Sequence, residues 1–285
     1  MTVLEALRRS GARLRSAGVP SPEHDAEVLL RHVLGWDRAR LVAEGPAPLA
    51  PADEASFLRL VDERGRRRPL QHLTGTQWFW KLELRVTPDV LVPRPETELL
   101  VETALELLED VERPLVVDVG TGSGCIALAL ASERPDATVH ATDISEAALA
   151  VARDNALRLG LDGRVTFRRG DILEPVGALT GRLDLILSNP PYVSMAEWHT
   201  LAPEVRLHDP RPALIPPGDR LSVYRRLAPA AARFLHRGGA LAVEIGRGME
   251  DEVRRELEGA GLQVTGVRPD LAGIPRVLIA RRPMG

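Results

Sequence analysis

Val116-Val117-Asp118-Val119-Gly120-Thr121-Gly122-Ser123-Gly124 is an apolar run of strand length that breaks into a turn with glycine at every second position. Residues 126–132 follow with the composition of a buried helix. Strand, glycine turn and helix in that order open a βαβ unit, in which glycine lets the backbone turn sharply and lie directly against a ligand. From here to the C-terminus, strand-like runs at 115–119, 138–142, 165–168, 183–188, 240–245, 262–267 and 276–280 alternate with helical patterns at 126–132, 146–159, 221–235 and 249–258. Such alternation predicts an α/β fold, a parallel sheet with helices on both faces. Only residues 268–275 separate the last two strands, too few for the crossover a parallel pair requires. The last strand is therefore expected to run antiparallel.

Upstream of this unit the pattern changes. Leu4, Leu7 and Leu14, then Val28, Leu29, His32 and Val33, recur at helical spacing, and a further helix fits 52–63. Ser21-Pro22 marks a helix start, and Pro46, Pro48 and Pro51 interrupt the pattern. Residues 1–74 thus read as a small helical domain. Gly65-Arg66-Arg67-Arg68-Pro69 reads as a solvated turn, with a contact to an acidic partner as the alternative. Residues 75–95 read as a hairpin and linker, since 77–86 is aromatic and branched and partly alternates. Pro95 and the acidic residues behind it start a helix over 96–108, so 96–285 forms the second domain.

The bulk composition narrows the function. Net charge is −3, and the arginines are scattered through every segment, so no basic stripe marks a nucleic-acid binder. Cys125 is the single cysteine, which excludes an internal disulfide and a cysteine metal cluster; no metal site is expected. The N-terminus lacks the apolar core of a signal peptide, and no apolar run is long enough to span a bilayer. A cytoplasmic protein without a membrane partner is expected.

The glycine turn leaves two ligands in competition. Asp143 stands about twenty residues on, at the end of the second strand, where a carboxylate accepts hydrogen bonds from both hydroxyls of a ribose. A dinucleotide site wants a third glycine where Cys125 stands, and a helix N-terminus free for pyrophosphate. Gly120, Thr121, Gly122, Ser123 and Gly124 with Asp118 before them suit a methionine-bearing nucleoside, whose ammonium seeks a carboxylate and carbonyls. Asp118 also reads as a strand-end residue that holds the turn, and Cys125 as a small apolar residue at the helix start. Asp171-Ile172 follows the third strand, where Asp171 can accept from an adenine amine and Ile172 can cover the ring. The alternative is an ordinary loop acid and core residue.

Asn189-Pro190-Pro191-Tyr192 ends the fourth strand beside that site. An amide nitrogen is a poor nucleophile because its lone pair is delocalised, on the scale of the roughly 18–20 kcal/mol barrier to peptide rotation. The side-chain oxygen of Asn189 and the backbone carbonyl of Pro190 can each accept one N–H. They would orient a planar amide or amino nitrogen and stabilise the positive charge that grows on it. Pro190 and Pro191 stiffen the loop, and Tyr192 offers a face to the planar group. The chemistry is methylation of such a nitrogen, with Asn189, Pro190 and Tyr192 as the catalytic set.

The sheet so predicted resembles that of the S-adenosylmethionine-dependent methyltransferases, a Rossmann-like sheet of seven strands with the last antiparallel. Three stretches carry a narrower likeness: Pro93-Arg94-Pro95-Glu96-Thr97-Glu98, the run from Asp118 to Leu128, and Asn189-Pro190-Pro191-Tyr192. With Glu204, Asp209-Pro210-Arg211-Pro212-Ala213-Leu214 and Glu244-Ile245-Gly246, they resemble the bacterial peptide chain release factor N5-glutamine methyltransferases over nearly the whole chain. The resemblance implies transfer of methyl from S-adenosyl-L-methionine, leaving S-adenosyl-L-homocysteine, to the glutamine of the Gly-Gly-Gln loop of class I release factors. It implies that Gly120 to Gly124, Asp143, Ile172 and Asn189 bind the donor and that Asn189 to Tyr192 hold the glutamine. A pocket for one side chain cannot by itself select a protein substrate, so the helical domain is expected to supply the recognition surface. The sequence departs from the family at Lys81, Asp209, Pro216-Pro217 and Met249, which bears on the substrate groove rather than on the reaction. Ribosomal protein glutamine methyltransferases and adenine-N6 DNA methyltransferases share the tetrapeptide, and a non-catalytic nucleoside-binding module is the alternative from another class.

Overall fold

In the computed structural model, which describes Met1 to Gly285, the chain begins with five helices. These are α1 (Val3–Ser16), α2 (Pro22–Leu34), α3 (Arg38–Ala43), α4 (Pro51–Gly65) and α5 (Leu70–Thr74). A hairpin of β1 (Thr76–Phe79) and β2 (Leu82–Arg85) leads to α6 (Glu98–Leu107), β3 (Leu115–Val119), α7 (Cys125–Glu133) and β4 (Thr138–Asp143). Then come α8 (Glu146–Arg158), β5 (Val165–Arg169), β6 (Leu183–Ser188), α9 (Met195–Trp198) and α10 (Pro203–His208). The chain closes with α11 (Ser222–Phe234), β7 (Leu235–Glu244), α12 (Glu250–Gly259), β8 (Gln263–Pro269) and β9 (Pro275–Arg281). No helix is long and apolar enough to cross a membrane. Two compact units result, Met1–Thr76 with Leu201–His208, and Gln77–Thr200 with Asp209–Gly285. A linear division of the sequence does not contain the short segment Leu201–His208, which groups with the helices of the first unit.

In the first unit, Thr2 caps α1 and Glu5 closes the capping box, so two N–H groups that the helix leaves unpaired find acceptors. The core takes Val3, Ala6 and Leu14 from α1, Leu29 and Leu30 from α2, and Phe57 and Val61 from α4. Leu4, expected inside from its spacing with Leu7 and Leu14, is exposed, because the buried stripe starts one residue earlier. Arg64 is buried, with Nε donating to Asp25 at 2.7 Å and Nη2 to Glu204 at 3.0 Å. Arg67, at φ 68°, donates from Nε and Nη2 to the two oxygens of the same Glu204, both at 2.7 Å. Arg67 is therefore not part of a solvated turn; its acidic partner is in the same chain. Removing one member of a buried ion network strands the others without water. Glu204→Ala is expected to cost on the order of 3 kcal/mol, seen as a lower urea midpoint; an unchanged midpoint would show the pairing to be dispensable.

In the second unit the strand order is β5-β4-β3-β6-β7-β9-β8. β3 to β7 pair in parallel, and β9 runs antiparallel between β7 and β8. Successive side chains on a strand point to opposite faces. Val116, Leu185 and Leu187 accordingly join α6 and α7 in one core layer, while Val117, Val119 and Ile186 join α11 and α12 in the other. Burial on both faces is why these strands read as largely apolar rather than alternating runs. β7 starts five residues before the expected 240, because Gly238 and Gly239 sit in the strand beside an irregular register opposite β6. The chain winds outward from β3 through β4 to β5 and returns to β6 on the other flank of β3. In open sheets of this kind, ligands bind outside the carboxyl ends of the strands at such a switch point.

Candidate active site

Asp118, Gly120 to Gly124, Asp143, Asp171-Ile172 and Asn189 to Tyr192 each lie at the carboxyl end of a parallel strand or in the loop just after it. Behind β3, Gly120, Gly122 and Gly124 have φ of 75°, 57° and 84°, which L side chains adopt only under strain. A Cβ at Gly120 or Gly122 would meet nothing within 4 Å, whereas one at Gly124 would press on Leu128 at 3.0 Å and Ala152 at 3.2 Å. The first two glycines leave an open cradle; the third makes room for helix packing. The N–H groups of Gly120 and Thr121 both donate to the Thr142 carbonyl, at 2.8 and 3.0 Å, fixing the loop to β4. The Ser123 carbonyl accepts from Asn155 at 2.9 Å. Asp143 accepts from the Gly122 N–H at 2.9 Å on one oxygen and from the Ser145 N–H at 2.8 Å on the other. Burial raises its pKa and these N–H donors oppose the rise. Each oxygen keeps a further lone pair for a hydroxyl.

Asp118 is wholly buried and accepts from the Thr121 hydroxyl at 2.6 Å, so it does hold the turn. Its second oxygen accepts no well-formed hydrogen bond, with only the Ala127 backbone N–H near the carboxylate. A buried acceptor left over beside an open glycine cradle fits a donor that carries an ammonium group. Burial pushes Asp118 up to about 7 from 3.8, with the Thr121 hydroxyl and the Ala127 backbone N–H opposing and Asp143 adding to the rise. The native state therefore binds this proton more tightly than the unfolded chain does. Stability contributed by the protonated form is full below about 4 and is lost as pH rises through about 7, a span worth on the order of 4 kcal/mol. Asp118→Asn is expected to flatten the decline of thermal stability between about pH 4 and 7, leaving the declines from Asp209, which burial lifts to about 6, and from Asp143 and Glu244, which burial also raises. Parallel curves for the two proteins would show that Asp118 does not titrate in that window. Cys125 is buried and its thiol is pushed up to about 12 by burial, with Asp118 adding to the rise, so it is an inert apolar neighbour.

Behind β5, Asp171 pairs with Arg226 at the surface, so part of its acceptor capacity is already engaged. Ile172 sits at φ 48°, a left-handed conformation that costs a β-branched residue about 1–3 kcal/mol. Its carbonyl accepts from the Thr142 hydroxyl at 2.7 Å, which ties the strained residue to the end of β4.

Behind β6, Asn189 donates from Nδ2 to the Thr97 hydroxyl oxygen at 3.0 Å. Thr97 in turn donates to Glu244 Oε2 at 2.6 Å, and Tyr192 donates to Glu244 Oε1 at 3.1 Å. Pro190 is buried and Pro191 half-buried. A Cβ on Gly246 would come within 2.9 Å of the Tyr192 ring and 2.8 Å of the Met249 sulfur, so the ring is seated against bare backbone. Burial, with Glu244 beside it, raises the Tyr192 pKa, so the phenol stays a proton donor. Asp209, also buried, accepts from Arg94 Nη2 at 2.5 Å. Reading the sequence missed Thr97 and Glu244 as members of this site. Both stand inside the quoted motifs, and a glutamate ending an apolar strand was the available signal.

Known proteins match this chain as follows. The family model "PrmC N-terminal domain" matches residues 5–75, and "Methyltransferase small domain" matches 95–229. The release factor glutamine methyltransferase of Cereibacter sphaeroides is 45% identical over 99% of this chain and 99% of its own. That of Deinococcus radiodurans is 46% identical over the full length of both. A methyltransferase structure from Pyrococcus furiosus, 18% identical, covers 78% of this chain and 98% of its own with a TM-score of 0.52, a likeness of fold.

Proposed function

The chain belongs to the release factor glutamine methyltransferase family, and from that premise we propose that it methylates the N5 side-chain nitrogen of the glutamine in the Gly-Gly-Gln motif of class I release factors. S-adenosyl-L-methionine, when bound, supplies an electrophilic methyl group. Gly120 and Gly122 admit its nucleoside against bare backbone, Asp143 takes the ribose hydroxyls, and Ile172 covers the adenine. The leftover oxygen of Asp118 is the acceptor offered to its ammonium.

The observation that carries the reading is the Asn189 carboxamide. Its nitrogen donates one N–H to Thr97, which turns Oδ1 the other way as an acceptor at the end of β6 beside the glycine cradle. Asn189 Oδ1 and the Pro190 carbonyl accept the two N–H groups of the glutamine amide, and Tyr192 backs its plane. As positive charge grows on the nitrogen, the two acceptors stabilise it in place, without reorganisation. The methylated nitrogen then sheds its proton, so no strong base is required.

A glutamine must protrude from its own backbone to enter such a slot. Two glycines before it remove obstructing side chains and widen the accessible dihedrals. The slot by itself does not favour a release factor over free glutamine, so we assign recognition of the factor to residues 1–74. Residues 75–95 serve as the linking hairpin and 96–285 as the donor-binding domain. The setting is the cytoplasm, where translation terminates. Labelled donor offered together with a release factor, ribosomal protein and duplex DNA tests this reading. Label is expected on the release factor; label on ribosomal protein or adenine instead would overturn the substrate while leaving nitrogen methylation standing.

A further inference from the structure

Thr97 and Glu244 lie outside the tetrapeptide, yet the polarity of their hydrogen bonds bears on the atom that does the chemistry. A carboxamide has a donor end and an acceptor end of nearly equal shape, so packing alone does not decide which end faces the substrate. A hydroxyl has one proton. Thr97 gives its proton to Glu244 Oε2 at 2.6 Å and Tyr192 gives its own to Oε1 at 3.1 Å, so both oxygens of that carboxyl group act as acceptors. Having spent it, Thr97 can only accept from Asn189, and the Asn189 nitrogen at 3.0 Å supplies the hydrogen. The acceptor Oδ1 is then forced to the opposite side.

We infer that Glu244, acting through the Thr97 hydroxyl, is a positioning residue that fixes the Asn189 carboxamide with its oxygen toward the substrate nitrogen. The inference rests on the proposed role of Asn189 as acceptor for the glutamine N–H. With the carboxamide reversed, an NH2 group would face the NH2 of the substrate, donor against donor, and the growing positive charge would meet no lone pair. Glu244 touches neither substrate nor donor in this account. Two hydroxyl protons, from Thr97 and Tyr192, converge on its buried carboxyl group; burial raises its pKa, and these two hydroxyls and Arg276 oppose the rise while Glu96 adds to it. Tyr224 donates to the Glu244 backbone carbonyl at 2.8 Å, which holds the end of β7 in place.

The chain has only two asparagines, Asn155 and Asn189, so asparagine-selective 15N labelling gives two carboxamide signals, each with a distinct use. Asn155 is tied to the Arg85 and Ser123 carbonyls and reports the fold. In the wild-type protein the Asn189 NH2 protons are expected to show nuclear Overhauser contacts to the Thr97 side chain. Their absence, with the Asn155 pair in its tied environment, would overturn the inference without any substitution. Thr97→Val keeps the shape and removes the hydroxyl. It is expected to shift the Asn189 signal and leave that of Asn155. Its kcat should fall about 10- to 100-fold with donor Kd unchanged, and Thr97→Ser should restore most of the rate. A Thr97→Val enzyme with normal kcat would also overturn the relay. Methylation of release factor by the wild type is read in the same assay. If it fails, the substrate assignment falls, while the orientation of the carboxamide is still decided by the labelled protein.

Discussion

Asn189→Ala is expected to lower kcat by roughly 10²–10³-fold, the loss that follows removal of one preorganised group facing developing charge. Donor affinity should change far less. Asn189 follows β6, and its nitrogen is bonded to Thr97, so the residue is held in place before substrate arrives. Alanine removes the acceptor and also leaves Thr97 without its incoming hydrogen bond. Glu244 keeps the protons of Thr97 and Tyr192 in that variant, so the buried carboxylate stays paired and the fold should survive. Single-turnover rates with saturating donor separate chemistry from binding. A folded variant with near-normal turnover would remove Asn189 from the reaction.

The second large effect concerns Asp143. Asp143→Ala should weaken S-adenosyl-L-methionine binding by about one to two factors of ten. Its carboxylate does two things, since it anchors the Gly122 and Ser145 N–H groups and presents remaining lone pairs to the ribose. Alanine abolishes both, so the glycine loop loses its tie to the end of β4 as well as its ribose acceptor. Calorimetry on the folded variant is the check, and unchanged affinity would take Asp143 out of the site.

What could be read in the sequence followed from local physics. β3 and β6 are buried on both faces, so apolar residues dominate them and the polar exceptions, Asp118, Asp184 and Ser188, stand out, and their ends fall where the runs end. The place of β9 came from chain length alone, since a short connection forces an antiparallel return. Where propensity and tertiary structure disagree, the reading slipped. Gly238-Gly239 looks like a loop but is inside β7, and Leu4 shares a helix with the core without belonging to it. Pro95 and Thr97 form a short 3-10 turn before α6 rather than its first turn, which is how the Thr97 hydroxyl comes to meet Glu244.

The donor side of the site was legible because it is built from consecutive residues whose backbone does the binding. Its polar support was not. Thr97 and Glu244 stand 147 residues apart, and Arg67 and Glu204 stand 137 apart, so no spacing rule joins them. A glutamate inside an apolar strand end signals only that a partner must exist. Which hydroxyls supply it is a property of the assembled sheet.

The most direct test of the account is mass spectrometry of a class I release factor incubated with this enzyme and S-adenosyl-L-methionine. The account predicts a mass gain of one CH2 unit on the peptide containing Gly-Gly-Gln, with fragmentation placing it on the glutamine side chain. It also predicts no gain when the Asn189→Ala enzyme is used for the same short time. A wild-type reaction that leaves this glutamine unmodified, or that places the methyl group on another residue, would contradict it.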